Sequence, residues 1–395
     1  MLPSQRALFD IPREICYLNA ASWSPLPIAT QEAGRVGVAR KGRPWSIDPA
    51  LPERQFERAR RAAARLINAD PDDVALISSV SYGVAAAAKL ATVRARTRVL
   101  VLENDHSSAV LEWTTRAQAG GFTVDAVPRP DDGDWTAAVL AAIDAPGAPP
   151  VALASISSVH WADGGMIDMD RVAAALRQQG AMLLVDATHA AGVMKIDVRA
   201  FDPDFLVFPT YKWLLGPYGR AFLYIAKRRQ DGVPLEQTSY GRRAINSERE
   251  TYYRDVAFIA GARRFDMGER DHFISLEMAS IGMELLAQWG CDAVQARLRM
   301  LTCRLADELS DDVTVSDVAV RAPHILSLQF PAGMPEGLVQ QLAADRVYVA
   351  PRIGRMRISP HVYNDEADIE RFLASFRRLA SRERVTSRSR LVERQ

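Results

Sequence analysis

The sequence predicts an α/β fold: a large domain on a mainly parallel seven-stranded sheet, followed by a small C-terminal α+β domain. Three observations carry this expectation. Short apolar runs end in polar or Gly-rich punctuation, the pattern of strands buried on both faces of a parallel sheet. Those runs alternate with helical patterns, which calls for helices on both faces of the sheet. From about Leu276 the alternation stops, and long helices and short mixed strands follow. The 395 residues exceed what one hydrophobic core usually serves. The expected division is an N-terminal arm at 1–30, a large domain at 31–265 and a small domain at 266–380. The charged, Ser/Arg-rich stretch 381–395 shows no periodicity and is expected to be a disordered tail.

Composition narrows the class. Apolar residues make up 48% and charged residues 25% of the chain, as in an ordinary globular protein. A net charge of +1 gives no sign of a nucleic-acid or membrane partner. Cys16, Cys291 and Cys303 show no paired spacing, which fits a reducing cytoplasm better than a disulfide framework, and no metal site is expected. The N-terminal MLPSQRALFDIPRE has no apolar core and does not read as a signal peptide. No run approaches the roughly 20 apolar residues needed to span a bilayer.

Taken in order, the elements are these. Cys16 to Pro27 is dense in Ser and Pro and reads as irregular backbone. Glu53–Asn68 carries Phe56, Ala59, Ala62, Ala63, Leu66 and Ile67 at helical spacing, with Arg58, Arg60, Arg61 and Arg65 expected on the solvated face. Val74–Ile77 is a strand, then Ser78 to Gly83 leads into an Ala-rich helix. Hydroxyls and a glycine between a strand and a helix N-terminus can bind an anion through free amides and the helix dipole, or simply cap the helix. Arg98–Leu102, Phe122–Val127, Val151–Ile156 and Met182–Val185 continue the strands, with helices at Trp135–Ile143 and Asp170–Gln178. The runs FLVF and AFLYI follow within 181–225. Lys227 to Arg254 is polar and turn-rich, a loop for the entrance or a subunit contact. Then come helices at Leu276–Trp289 and Ala293–Leu309, strands at Val313–Val315, His324–Gln329 and Arg346–Val349, and a last helix at Glu366–Leu379.

Functional groups of such sheets gather at the carboxyl ends of the strands. Asp186 ends the run MLLV, and Lys212 follows the run FLVF, so both fall at the ends of strands expected to be neighbours. A lysine and a carboxylate so held suit pyridoxal 5′-phosphate, which needs an amine for its Schiff base and an anion beside its ring nitrogen. A lone lysine between Tyr211 and Trp213 at a buried strand end also argues for a special role.

Asp186-x-x-His189 and Tyr211-Lys212 carry a resemblance to the class V aminotransferase family, the fold-type I pyridoxal-phosphate enzymes that include cysteine desulfurases, kynureninases and isopenicillin-N-epimerase-like enzymes. The resemblance covers most of residues 15–380 and implies the following roles. Lys212 forms the Schiff base and moves protons; Asp186 pairs with the ring nitrogen; His189 donates to the ring oxygen. Tyr211 bonds the phosphate, with Thr210 as a weaker candidate. The phosphate turn is matched at Val80 and Ser81. His106, in the stretch with Asp105 and Trp113, stacks on the cofactor ring and can shuttle protons. Asn19 and Ser22 lie near the entrance and can meet the substrate or merely pack, and His160 and Trp161 pose the same choice. Serine 158 stands where many members have Asn. Arg357, on a strand ahead of Ser359-Pro360, matches the arginine that grips the substrate α-carboxylate, while Arg352 or Arg355 could be solvated surface, the reading preferred for Arg355. The stretch Arg264 to Glu269 resembles a turn in which one subunit donates a threonine to its partner's phosphate; here Glu269 takes that place, and Arg270 or nearby amides could substitute.

The resemblance implies an enzyme acting at Cα of an amino acid, a cytoplasmic homodimer with active sites at the subunit interface. Transamination through a Lys212 aldimine is the leading expectation. A C–S or other lyase, or an epimerase, on the same scaffold is the alternative, and a non-catalytic binding protein that keeps the fold is a remote one. The segment Ala350 to Gly354 holds no cysteine, which argues against persulfide chemistry.

Overall fold

A computed structural model describes residues 2–242 and 257–392, with side chains described up to Leu379. The expected entrance loop therefore lies partly outside the described residues. In chain order the strands are β1 (Cys16–Tyr17), β2 (Val74–Ile77), β3 (Arg98–Leu102), β4 (Thr123–Val127), β5 (Val151–Ser157), β6 (Met182–Asp186), β7 (Phe205–Pro209), β8 (Ala221–Ile225), β9 (Leu326–Leu328), β10 (Val347–Tyr348), β11 (Ala350–Arg352) and β12 (Arg355–Ile358). The helices are α1 (Ile28–Lys41), α2 (Leu51–Leu66), α3 (Val80–Leu90), α4 (Ser107–Gly120), α5 (Trp135–Ile143), α6 (Met169–Gln178), α7 (Val198–Phe201), α8 (Ser275–Trp289), α9 (Cys291–Glu308), α10 (Leu338–Ala344) and α11 (Glu366–Val392).

The large sheet has seven strands in the order β2-β8-β7-β6-β5-β3-β4. The ladders joining β4, β3, β5, β6 and β7 are parallel, and β8 runs antiparallel between β2 and β7. Both faces are covered over β2, β3 and β5–β8, as strands of mainly apolar residues require, while the edge strand β4, with Thr123 and Asp125, stays partly exposed. Leu100, Leu102, Ala154, Ile156, Leu183, Val185, Leu206 and Phe208 face one core, and Val99, Val101, Leu153, Leu184, Phe205 and Val207 face the other. That alternation is the two-residue period of a strand, with each face buried under helices. Helix α3 comes close to the sheet at Gly83, where a Cβ would stand 2.7 Å from Val207 Cγ2. β9, β11 and β12 form a three-stranded antiparallel sheet, and β1 pairs with β10. Around them Leu18, Leu301, Leu305, Met356, Phe372 and Phe376 make a separate apolar cluster.

Four expectations are corrected. Arg60 is not on a solvated face: it is fully buried, and its guanidinium pairs with buried Asp266 at 2.7 Å. The helical period placed it on the edge of the apolar stripe, and the carboxylate 206 positions away in the chain turns that edge inward. Val313–Val315 forms only an isolated bridge, Thr314 to Gln329. Helix α1 was not anticipated, because its buried face is Thr30, Gly34 and Gly37 while Val36 and Val38 are exposed. Glycine serves close approach there: a Cβ on residue 37 would lie 2.8 Å from Ile274 Cα. Helix α11 continues to Val392 through most of the stretch expected to lack structure. No Gly or Pro occurs in 366–392 to stop it.

Candidate active site

The sheet order reverses between β3 and β5, and a crevice opens at the carboxyl ends of the strands, where such folds place their ligands. Asp186 is the last residue of β6, and the register sets it beside Val207 of β7, five positions before Lys212. A cavity of about 290 Å³ opens there. Val80, Ser81, His106, Asp186, His189, Tyr211 and Lys212, scattered over more than 130 positions of sequence, all line it.

Lys212 is buried, and its Nζ lies 3.2 Å from His189 Nε2. The other ring nitrogen of His189, Nδ1, accepts from the indole Nε1–H of Trp213 at 3.0 Å. An indole can only donate, so Nδ1 carries no hydrogen and the neutral ring has its proton on Nε2. Burial, with Lys212 next, holds His189 well below the usual histidine range, so the ring is neutral. The Nε2–H then points at Lys212 and needs an acceptor, which a neutral amine supplies. Burial lowers Lys212 to about 8; Asp186 opposes the shift, and Arg357 and Arg352 add to it. Asp186 Oδ1 accepts from Thr188 N at 2.9 Å, which fixes the carboxylate plane.

At the other end of the cavity, Ser79 caps α3 by accepting from Tyr82 N at 3.1 Å. The first-turn amides of Val80 and Ser81 belong to the set that a helix cannot satisfy internally. Ser81 Oγ shares a 3.0 Å hydrogen bond with Ser108 Oγ. Tyr211 stacks on Tyr218 at 3.9 Å. Arg220 lines the same end, because β8 pairs Ala221 with Ile77 and so brings the preceding residue beside Ser78. Its Nε donates to Ser275 Oγ at 2.6 Å, but its Nη1 is buried without a partner. Burial lowers its pKa to about 10. Thr210 does not face the cavity: its hydroxyl donates to Pro217 O at 2.6 Å and ties the Lys212 loop together.

His106 stands at the cavity wall, edge-on to Trp161 at 6.0 Å, with its Nδ1 3.3 Å from Ser108 Oγ. Partial desolvation, followed by the charge Lys212 carries when protonated, keeps it below the usual histidine range. Beneath it Asp105 accepts from His106 N at 2.7 Å and from Ser157 Oγ at 2.8 Å. Desolvation pushes Asp105 up to about 6.

The remaining residues separate. Arg357 is buried and donates to Trp161 O at 2.6 Å and to Ser22 Oγ at 2.9 Å. Asn19 is half-buried, and its Oδ1 accepts from Ser22 Oγ at 2.8 Å, so it meets this group only through Ser22. His160 is not in the cavity lining. Its ring stacks on Trp135 at 4.8 Å, and its nitrogens reach Asp163 at 3.0 Å and Glu103 O at 3.2 Å. Both ring nitrogens are thus used in packing, and its neighbour Trp161 faces the cavity instead. Ser158 is likewise turned away, with its hydroxyl 3.4 Å from Asp186 O, while Ser157 lines the cavity. Arg270 is engaged by Asp266 and lies 4.1 Å over Phe56. Arg355 is half-buried rather than surface and donates to Gln329 Oε1 at 2.8 Å. Sequence reasoning did not find Trp213 as a partner of His189, nor Arg220. The signals were present in Trp213 adjoining the lysine and in an arginine opening an otherwise apolar run.

Comparison with known proteins bears on this site. The profile of the family described as Aminotransferase class-V matches residues 51–372. The chain is 27% identical over 333 residues to an uncharacterized aminotransferase of Bacillus subtilis, covering 83% of this chain and 84% of that protein. It is 25% identical over 371 residues to isopenicillin N epimerase of Streptomyces clavuligerus, covering 90% and 92%. The fold is that of a cysteine desulfurase from Thermococcus onnurineus, with a TM-score of 0.81 at 20% identity over 95% of this chain and 96% of that one.

The family implies pyridoxal 5′-phosphate, and the residues present fit it. A buried amine and a buried carboxylate share one cavity. The orphaned Nη1 of Arg220 stands at the helix N-terminal end of that cavity, where a phosphate would meet a cation, free amides and a hydroxyl.

Proposed function

The chain belongs to the class-V aminotransferase family and is a pyridoxal 5′-phosphate-dependent enzyme, and from that premise we propose that it is an aminotransferase acting at Cα of an amino acid. The observation that carries this is the buried Lys212 amine, 3.2 Å from a neutral His189 and held by burial near a pKa of 8. Such an amine can take a proton from a substrate carbon at working pH and return it. When bound, the cofactor supplies an electron sink for a carbanion at Cα.

The chain's own residues divide the work. Lys212 is the attachment point and the proton carrier. Asp186 would hold the proton of the ring nitrogen, and His189 Nε2–H would donate to the ring oxygen. Val80, Ser81, Tyr211 and Arg220 would hold the phosphate. His106 would cover the open face of the ring, and Arg357 would bind the substrate α-carboxylate. Cys16 lies outside the cavity, as do Cys291 and Cys303 of α9, so no thiol is at hand for persulfide transfer. The free cysteines also fit a cytoplasmic enzyme.

Epimerisation is the second reading, because His106 gives the cavity a second neutral base beside Lys212. A homodimer with 31–265 as large domain and 266–380 as small domain belongs to the same proposal. Full activity in a particle of monomeric mass would overturn the dimer. The reaction is tested by mixing loaded enzyme with single amino acids and no acceptor. Transamination yields one keto acid per site without ammonia; release of ammonia or sulfide, or inverted stereochemistry at Cα, would replace it.

A further inference from the structure

Arg352 and Arg357 lie on one face of the β11–β12 hairpin. The register opposes Ala350 to Arg357 and Arg352 to Arg355, and residues opposite or two apart share a face. Both guanidinium groups reach one oxygen. Arg352 Nη2 donates to Ser22 Oγ at 2.8 Å and Arg357 Nη2 donates to it at 2.9 Å. Ser22 gives its own hydrogen to Asn19 Oδ1, so its oxygen is presented to the two cations purely as an acceptor.

The polar partners of the pair among the described residues are Ser22 Oγ and the carbonyl oxygens of Trp161 and Pro351, all uncharged. Nε of each arginine is buried without a partner. Arg352 is held 5.6 Å over the Trp161 ring, and Trp161 lines the cavity that holds Lys212. Both arginines act on the Lys212 amine, and among the described residues neither has a carboxylate among its hydrogen-bond partners. An α-carboxylate would neutralise one, and a buried guanidinium left without a counter-charge is costly.

We propose that Arg352 is a specificity-determining residue which, together with Arg357, selects amino acids carrying a second acidic group on a short side chain. Sharing one acceptor keeps the two guanidinium groups within a few ångströms, which suits a compact dicarboxylic substrate better than a long one. Arg357, fully buried, takes the inner carboxylate; Arg352, half-exposed, takes the outer one. The inference rests on the reading that the substrate is an amino acid.

The test is calorimetric titration of the loaded enzyme with succinate and glutarate, against butyrate and valerate as monocarboxylates of equal length. The dicarboxylates are expected to bind about tenfold tighter. Arg352→Gln should bring the two classes to within about twofold, and Arg352→Lys should restore part of the preference. Equal binding to the unaltered enzyme overturns the proposal. So does equal weakening of both classes in Arg352→Gln, which would mean that both arginines grip a single carboxylate. Cofactor content, measured by absorbance on the same samples, and loss of butyrate binding in Arg357→Ala test the underlying reading separately. If both hold while the dicarboxylate preference is absent, only the role of Arg352 falls.

Discussion

The indole N–H of Trp213 donates to Nδ1 of His189 at 3.0 Å, and that single bond decides which nitrogen of the imidazole presents a hydrogen to Lys212. The arrangement is braced from behind. His324 Nε2–H donates to His189 O at 2.6 Å, and His361 Nε2–H donates to Trp213 O at 3.0 Å. Burial lowers His324 to about 3 and His361 to about 4, so both are neutral and can act as donors through one nitrogen.

Replacing Trp213 by Phe keeps an aromatic side chain, though a smaller one, and removes the donor. The His189 tautomer is then no longer fixed. We expect kcat to fall about tenfold, the worth of roughly one hydrogen bond, with a shift in the visible absorbance of the loaded enzyme. Unchanged kinetics together with an unchanged spectrum would remove Trp213 from the machinery.

The low pKa of Lys212 has a pH signature. The nucleophile is the neutral amine, whose fraction grows as pH rises through the pKa. The rate at which the apoprotein takes up cofactor should therefore climb through about pH 8, not through the 10.5 of an ordinary lysine. Stopped-flow absorbance over pH 6–11 measures it. Lys212→Ala should lose both the visible band and turnover.

Arg220→Met should weaken binding of the phosphorylated cofactor by about ten- to a hundredfold, the worth of a charge-assisted hydrogen bond. Uptake of pyridoxal, which lacks the phosphate, should be unchanged. Equal weakening of both ligands would show that Arg220 serves only to hold Ser275.

Arg357→Ala should raise KM for substrates with a free α-carboxylate, lowering kcat/KM by about ten- to a hundredfold. The corresponding amino amides, which lack that charge, should be little affected. An unchanged KM would count against the role.

Arg60→Ala leaves Asp266 buried beside Arg270 without its closest fully buried partner. The expected loss of stability is about 3 kcal/mol, read from the denaturation midpoint. A shift under about 1 kcal/mol would mean that Arg270 alone suffices to balance Asp266.

The sequence by itself determined the strands of the large sheet and the place of Asp186 and Lys212 at neighbouring strand ends. Apolar runs such as those ending at Asp186 and before Lys212 are local signals, because burial on both faces favours a nearly unbroken apolar strand. Tertiary structure alone decided which groups meet across elements. His160 turned to Trp135 while Trp161 took the cavity, Arg60 went inward to Asp266, and Arg220 reached Ser78 because β8 runs antiparallel beside β2. Ser22 and Arg352, 330 positions apart, became partners only when the N-terminal arm crossed the β11–β12 hairpin. Helix α1 stayed hidden because its buried stripe is glycine and threonine, residues chosen for backbone approach rather than for hydrophobicity. Periodicity records which face of an element is buried, while the identity of the neighbour across that face depends on the path of the whole chain.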